Sequence, residues 1–176
     1  MKLYRYIIGF CIWFLFSACA GMSFFSDSEK VLTTYMPSGN LQYYLRPAKM
    51  LSAEFKSDDA FITADFTYQK SNRTYVGNAY VNFTLTYKTK AFISKAYFKT
   101  DDNVIIPLSH ISLLSRNIQK NHIRVSTVLE SGRIHEVLEK LESFKAVLHI
   151  ELDDGSVKTF LPTKEVAARI AEAFSK

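Results

Sequence analysis

The sequence predicts a mainly β, α+β domain, an antiparallel β-sandwich or partly closed barrel completed by a short helix, a β-hairpin and a C-terminal helix. Three observations predict it. From Leu41 onward apolar residues alternate with polar ones, turn-forming residues punctuate the alternation, and near residues 134 and 163 the period becomes helical. A period of two sends successive side chains to opposite faces of a strand, so this alternation marks antiparallel strands with one face buried and one wet.

In chain order, Ile62, Ala64, Phe66 and Tyr68 alternate with Thr63, Asp65 and Thr67. Ala79, Val81, Phe83, Leu85 and Tyr87 alternate with Asn78, Tyr80, Asn82, Thr84 and Thr86. Phe92, Ala96 and Phe98 continue the inward set, as do Ile123, Val125 and Leu129. Turns are expected at Ser57-Asp58-Asp59, Lys70-Ser71-Asn72-Arg73, Lys88-Thr89 and Thr100-Asp101-Asp102-Asn103, where short polar side chains bond their own backbone and Asn and Asp tolerate left-handed conformations. Ile134, Val137, Leu138, Leu141 and Phe144 then recur at helical spacing, with Ser131 as N-cap. A hairpin follows, with Ala146, Leu148, Ile150 and Leu152 on one face, Asp154-Gly155 supplying the turn, and Val157, Thr159 and Leu161 returning. Pro162 and Thr163 open a last helix whose buried stripe is Val166, Ala167, Ile170, Ala171 and Phe174.

Ahead of this domain lies a leader. Lys2 and Arg5 precede an uncharged run over residues 6–16, and small residues follow at Ser17, Ala18, Cys19, Ala20 and Gly21, the pattern of an export signal. Leu15-Phe16-Ser17-Ala18-Cys19 resembles the lipobox of bacterial lipoprotein precursors, with Phe16 where that family usually places Leu. The resemblance implies cleavage before Cys19, acylation of its sulfur, and a membrane attachment through the N-terminal lipid. Cysteine usage agrees: the chain has two, Cys11 and Cys19, and residues 20–176 have none, so Cys19 has no disulfide partner within the exported chain. Two other readings stay open. Ala18-Cys19-Ala20 is an A-x-A site that would release a soluble protein at Gly21, and residues 6–25 carry no charge over a length that can span a bilayer uncleaved. In a bacterium each reading exports the domain; the anchored ones hold it in the cell envelope, facing the periplasm or exterior. The expected organisation is a signal peptide over 1–18, a lipidated cysteine and tether over 19–40, and one β-rich domain over 41–176. The alternative for the tether is an arm packed on the domain through Val31, Leu32 and Tyr35.

Loss of a leader carrying Lys2, Arg5 and no acid lowers the net charge from +5 to +3, too mild for a nucleic-acid signature. Charge is unevenly spread. Residues 66–100 hold Lys70, Arg73, Lys88, Lys90, Lys95 and Lys99 with no acid, interleaved with tyrosines, whereas residues 130–154 are rich in Glu and Asp. Lys88, Lys90, Lys95 and Lys99, with Tyr87 and Tyr97, are therefore the candidate contacts to an anionic envelope component; the plainer reading is that strand-end lysines keep a β-protein soluble. An exported domain meets no nucleic acid, so that partner is not expected.

No chemistry-bearing motif stands out. His110, His122, His135 and His149 lack ligand spacing, and His149 with Glu151 is a pair where a zinc centre needs three or four ligands. Asp101-Asp102-Asn103 and Asp153-Asp154-Gly155 lack the alternating oxygens and distal Glu of a calcium loop. Nucleophile elbows and phosphate loops are absent from a chain with six glycines. The N-x-T sequons at Asn72 and Asn82 matter only in a eukaryotic chain, and Asn82 reads as a wet-face strand residue. The expectation is thus no catalytic residue, metal or cofactor, and a non-enzymatic domain that binds or scaffolds a protein or other envelope component. The competing class is an envelope enzyme or small-ligand carrier whose site is assembled only by the fold.

Overall fold

A computed structural model describes residues 29–54, 60–89 and 91–176. Nine strands, β1 (Val31–Tyr35), β2 (Leu41–Ser52), β3 (Phe61–Ser71), β4 (Thr74–Thr86), β5 (Ile93–Thr100), β6 (Ile105–Asn117), β7 (His122–Leu129), β8 (Ala146–Leu152) and β9 (Val157–Pro162), form one antiparallel sheet. Their order is β1-β2-β3-β4-β7-β6-β5-β8-β9, and an added β2–β9 pairing closes the last eight into a barrel with β1 outside the ring. Of the two architectures the alternation allowed, the barrel is the one formed. Closure rests on three residue pairs, Met50↔Pro162, Leu51↔Leu161 and Ser52↔Phe160. Below them β2 turns away at a bulge between Leu45 and Ala48 and pairs with β1 instead.

Two helices fill what the strands leave open. Helix α1 (Ile134–Glu142) buries Ile134, Val137, Leu138 and Leu141, packing against β4 and β8 at one end of the barrel. Helix α2 (Lys164–Ser175) lies along β2 and packs on α1. Its Arg169 guanidinium donates to the Pro47 carbonyl at the β2 bulge, while the Thr163 hydroxyl donates to the Lys49 carbonyl at 2.6 Å.

The barrel interior is filled. Ile62, Ala64, Phe66, Tyr68, Ala79, Val81, Phe83, Leu85, Ala96, Phe98, Ile123, Val125 and Leu129 are buried, as the alternation requires, and join Met50, Leu148, Ile150 and Phe160 in one core. The rings of Phe66 and Phe98 stack across it at 6.4 Å. Eight strands enclose a width that side chains can fill, and here they fill it.

Several local expectations need correction. Phe92 precedes β5 and is half exposed, because it lies in the connection from β4 rather than in a strand. Ser131 is not the α1 cap: Ser131–Arg133 form a single 3-10 turn, Arg133 holds the cap position, and the Ser131 amide donates to Asn78 Oδ1. Phe144 is not on the buried stripe but sits just past the end of α1 at φ 61, with its side chain half exposed. In α2 it is Ala173, not Ala171, that is buried. Val31–Tyr35 pair with residues 41–45 and Val31 is fully buried, so the ordered sheet begins before Leu41. The expected turn at residues 57–59 lies outside the described residues.

One buried charge is built into the wall. Asp65 is inaccessible to solvent on the face of β3 opposite the core side chains. It accepts from Asn82 Nδ2 at 2.7 Å and pairs with Arg124 at 2.9 Å, while Arg124 also donates to the Thr84 hydroxyl at 3.1 Å. Asn82, read as a wet-face residue, is thus a member of a cross-strand network.

Candidate functional site

Of the six predicted contact residues, Lys95, Tyr97 and Lys99 share the outer face of β5, where alternation puts them side by side. Their neighbour across the ladder is β8, from the acidic part of the chain. Lys95 pairs with Glu151 at 3.1 Å, Tyr97 stacks on His149 with centroids 5.0 Å apart, and His149 Nδ1 lies 3.1 Å from the Thr159 hydroxyl. Desolvation first, and then the nearby Lys99, hold the His149 pKa below its usual value. The sheet therefore gives His149 and Glu151 each a partner on β5. Lys88 is exposed beyond β4. The Tyr87 ring lies 5.3 Å from Lys158 Nζ, and its amide donates to the Asn121 carbonyl. Lys90 and Cys19 lie outside the described residues. Among the described residues, no cluster of three or more His, Cys, Asp or Glu side chains is placed to hold a metal.

Two features that alternation did not point to are more distinctive. The first is an open sheet edge. β5 and β6 pair only from Ala96↔Leu108 to Lys99↔Ile105, whereas β6 runs on to Asn117 along β7. Over residues 109–117, among the described residues, no strand pairs with the side of β6 turned away from β7. Bulges at 109/112 and 113/115 interrupt this segment, with His110 at φ 52 inside the first. Side chains on both faces are exposed there, including Leu113 and Leu114 at 53% each. Nearby, the Arg116 guanidinium lies 4.4 Å from the centroid of the exposed Phe92 ring.

The second is an aromatic cleft of about 570 Å³ at the α1 end of the barrel, beside the β3–β4 hairpin. Lys70 stands in it with its Nζ 4.9, 5.7, 5.1 and 5.9 Å from the ring centroids of Tyr43, Tyr68, Tyr75 and Phe174. Tyr43 and Tyr68 are stacked at 5.2 Å, Tyr75 tilts against Tyr68 at 5.4 Å, and His135 bridges Tyr75 to Phe174. Burial pushes the Lys70 pKa down and those of Tyr68 and Tyr75 up. The hairpin turns on Asn72 and Arg73 at φ 47 and 69. Two central residues at positive φ make the primed turn that matches strand twist; Asn suits the first position, but Gly is usual at the second, where a side chain costs about 1 kcal/mol.

In class, this is a solid-cored antiparallel barrel of eight strands with a ninth at its margin and two helices closing its gaps. No protein-family model, curated protein or solved structure matches the chain. Among the described residues no helix is long and apolar enough to cross a membrane.

Proposed function

We propose that the chain is an exported lipoprotein, held in the envelope through an acylated Cys19, whose barrel is a non-enzymatic binding module that accepts an extended polypeptide on the open edge of β6. The observation that carries the binding reading is that edge. The side of β6 turned away from β7, with Leu113 and Leu114 exposed on the strand, offers backbone donors and acceptors for an added strand and apolar side chains for its selection. Natural sheets usually guard such edges with charge, proline or coverage; here bulges shorten it, and Arg116 packed on Phe92 guards its far end. The filled interior supports a surface-binding role over a carrier barrel, because no room is left for cargo among Phe66, Phe83, Phe98 and Phe160. The anchor rests on the lipobox-like leader and the thiol-free remainder of the chain.

The test has two parts. A photocrosslinking side chain at position 114, in envelopes of the producing cell, should trap one polypeptide, and that partner should slow amide exchange at residues 109–117. A Leu113→Lys, Leu114→Lys double variant should lose both signals while keeping its melting temperature; exchange unchanged by the partner, or an adduct indifferent to the charges, refutes edge binding. For the anchor, metabolic labelling with a fatty acid should mark the wild type and not Cys19→Ser, and an unlabelled wild type ends that reading.

A further inference from the structure

The aromatic cleft at the far end of β4 from the open edge is a second site, and it carries a ligand class of its own. Among the described residues, its lining includes Lys70, Arg73, His135 and Lys176 and no Asp or Glu. Lys176 is committed elsewhere, since its Nζ donates to the Val31 carbonyl and pairs with Glu172 at 3.5 Å. Lys70 and Arg73 are not: neither is ion-paired to a described carboxylate. A half-buried ammonium whose described protein neighbours are ring faces keeps part of its desolvation cost, and an incoming anion would relieve it.

Among the described residues the Tyr68 and Tyr75 hydroxyls are buried without a hydrogen-bond partner and lie out of a ligand's reach; it is the Tyr75 ring that lines the cleft. Arg73 adds a second observation. It occupies a left-handed position where glycine is unstrained and a Cβ is not, and strain of this kind collects where the side chain is needed. The apolar remainder of the wall, Leu41, Tyr43, Tyr75 and Phe174, suits a flat hydrophobic body, and the volume is that of a small-molecule site.

We propose that this cleft binds a small organic anion, a carboxylate or phosphate carried on an aromatic or apolar body, with Lys70 and Arg73 taking the charged group and the Tyr75 and Phe174 rings taking the body. Lys70 and Arg73 are then binding residues, and no bond is made or broken. The inference does not depend on strand addition at β6.

The probes are 2-naphthoate, 2-naphthyl phosphate, inorganic phosphate, 2-naphthylmethanol and 2-naphthyltrimethylammonium, titrated calorimetrically into the full chain. At least one of the two naphthyl anions should bind, and which of them is the tighter separates a carboxylate site from a phosphate site. The neutral and cationic naphthyl compounds should bind at least about tenfold more weakly, because a charge-assisted hydrogen bond is what distinguishes them. Lys70→Met, which keeps the stem and removes the charge, should weaken naphthyl-anion binding by about tenfold or more. Arg73→Gly, which relieves the turn and so leaves the fold intact, should weaken it in the same direction. Amide shifts on binding should centre on residues 70–75 and 135. Binding of neither anion, equal binding of the alcohol or the ammonium, bare phosphate as tight as naphthyl phosphate, or affinity unchanged in both variants would each overturn the proposal.

Discussion

Replacing Phe98 with alanine tests whether the barrel is solid, on which the choice of a surface-binding role depends. Phe98 is fully buried at the centre of β5 and stacks on Phe66 across the interior. In a close-packed core its removal costs the transfer energy of the ring plus the cavity left behind, about 3–5 kcal/mol. A domain of this size has a urea slope of roughly 2 kcal/mol/M, so Phe98→Ala should lower the midpoint by about 1.5–2.5 M with the slope unchanged. Leu113→Ala, half exposed on the β6 edge, should stay within about 0.5 kcal/mol of wild type and serves as the control. Urea titration followed by far-UV circular dichroism reads both. If the interior were instead a ligand chamber, Phe98 would already border empty or wet space and lose only about 1 kcal/mol of partial burial. A midpoint shift below about 0.5 M would therefore refute the solid core, and with it the preference for edge over interior.

Other predictions follow from the same geometry. Arg124→Leu strands the inaccessible Asp65 carboxylate with only Asn82 as partner and should cost about 3 kcal/mol in urea titration, while Asp65→Asn, which leaves a partly exposed Arg124 free to hydrate, should cost clearly less; equal costs would contradict the buried-pair account. Phe144→Gly relieves a left-handed residue, worth about 1 kcal/mol, but gives up the buried half of its ring, worth about as much, so its melting temperature should stay within about 2 °C of wild type. The folded pKa of His149 is depressed, so unfolding takes up a proton once the pH falls below 6.5, the unfolded value. Its contribution to stability is complete above that pH and is lost as pH falls toward the folded pKa. His149→Gln should flatten this limb in a comparison of urea midpoints between pH 7 and pH 5, and an unchanged slope would place the dependence elsewhere.

The parts of the fold that period two could reveal were those where one face is buried and the other wet. β3, β4 and β7 have that environment, and their inward residues were legible one by one. β6 was not, because its second half is bulged and exposed on both faces; Ile111, Leu113 and Leu114 break the alternation for the same reason that they leave an edge open. Asp65 and Thr127 were invisible as buried residues, since a polar side chain can be covered only where partners wait, and theirs are Arg124, Asn82 and the Val81 carbonyl across the sheet. The lysine–tyrosine interleaving over residues 66–100 marked a cationic stretch, yet neighbours in the chain alternate faces and diverge: Lys95 meets Glu151, while Lys70 enters a cleft with Tyr43 and Phe174. A pair of non-glycine residues at the tip of a tight hairpin was the one local sign that Arg73 held a special position.

What the chain alone determined is whatever depends on near neighbours: the inward faces of the regular strands, the α1 stripe, and the Asp154-Gly155 turn. The tertiary structure decided what depends on residues far apart in sequence. It chose barrel over sandwich through three pairs joining β2 to β9, set Lys95 on β5 against Glu151 on β8, released the far half of β6, and gathered Lys70, Tyr43, Tyr75 and Phe174 from four elements around one cleft. Periodicity reports which way a side chain points, because that is a property of the local backbone; what it points at depends on closure of the whole sheet, which no single stretch encodes.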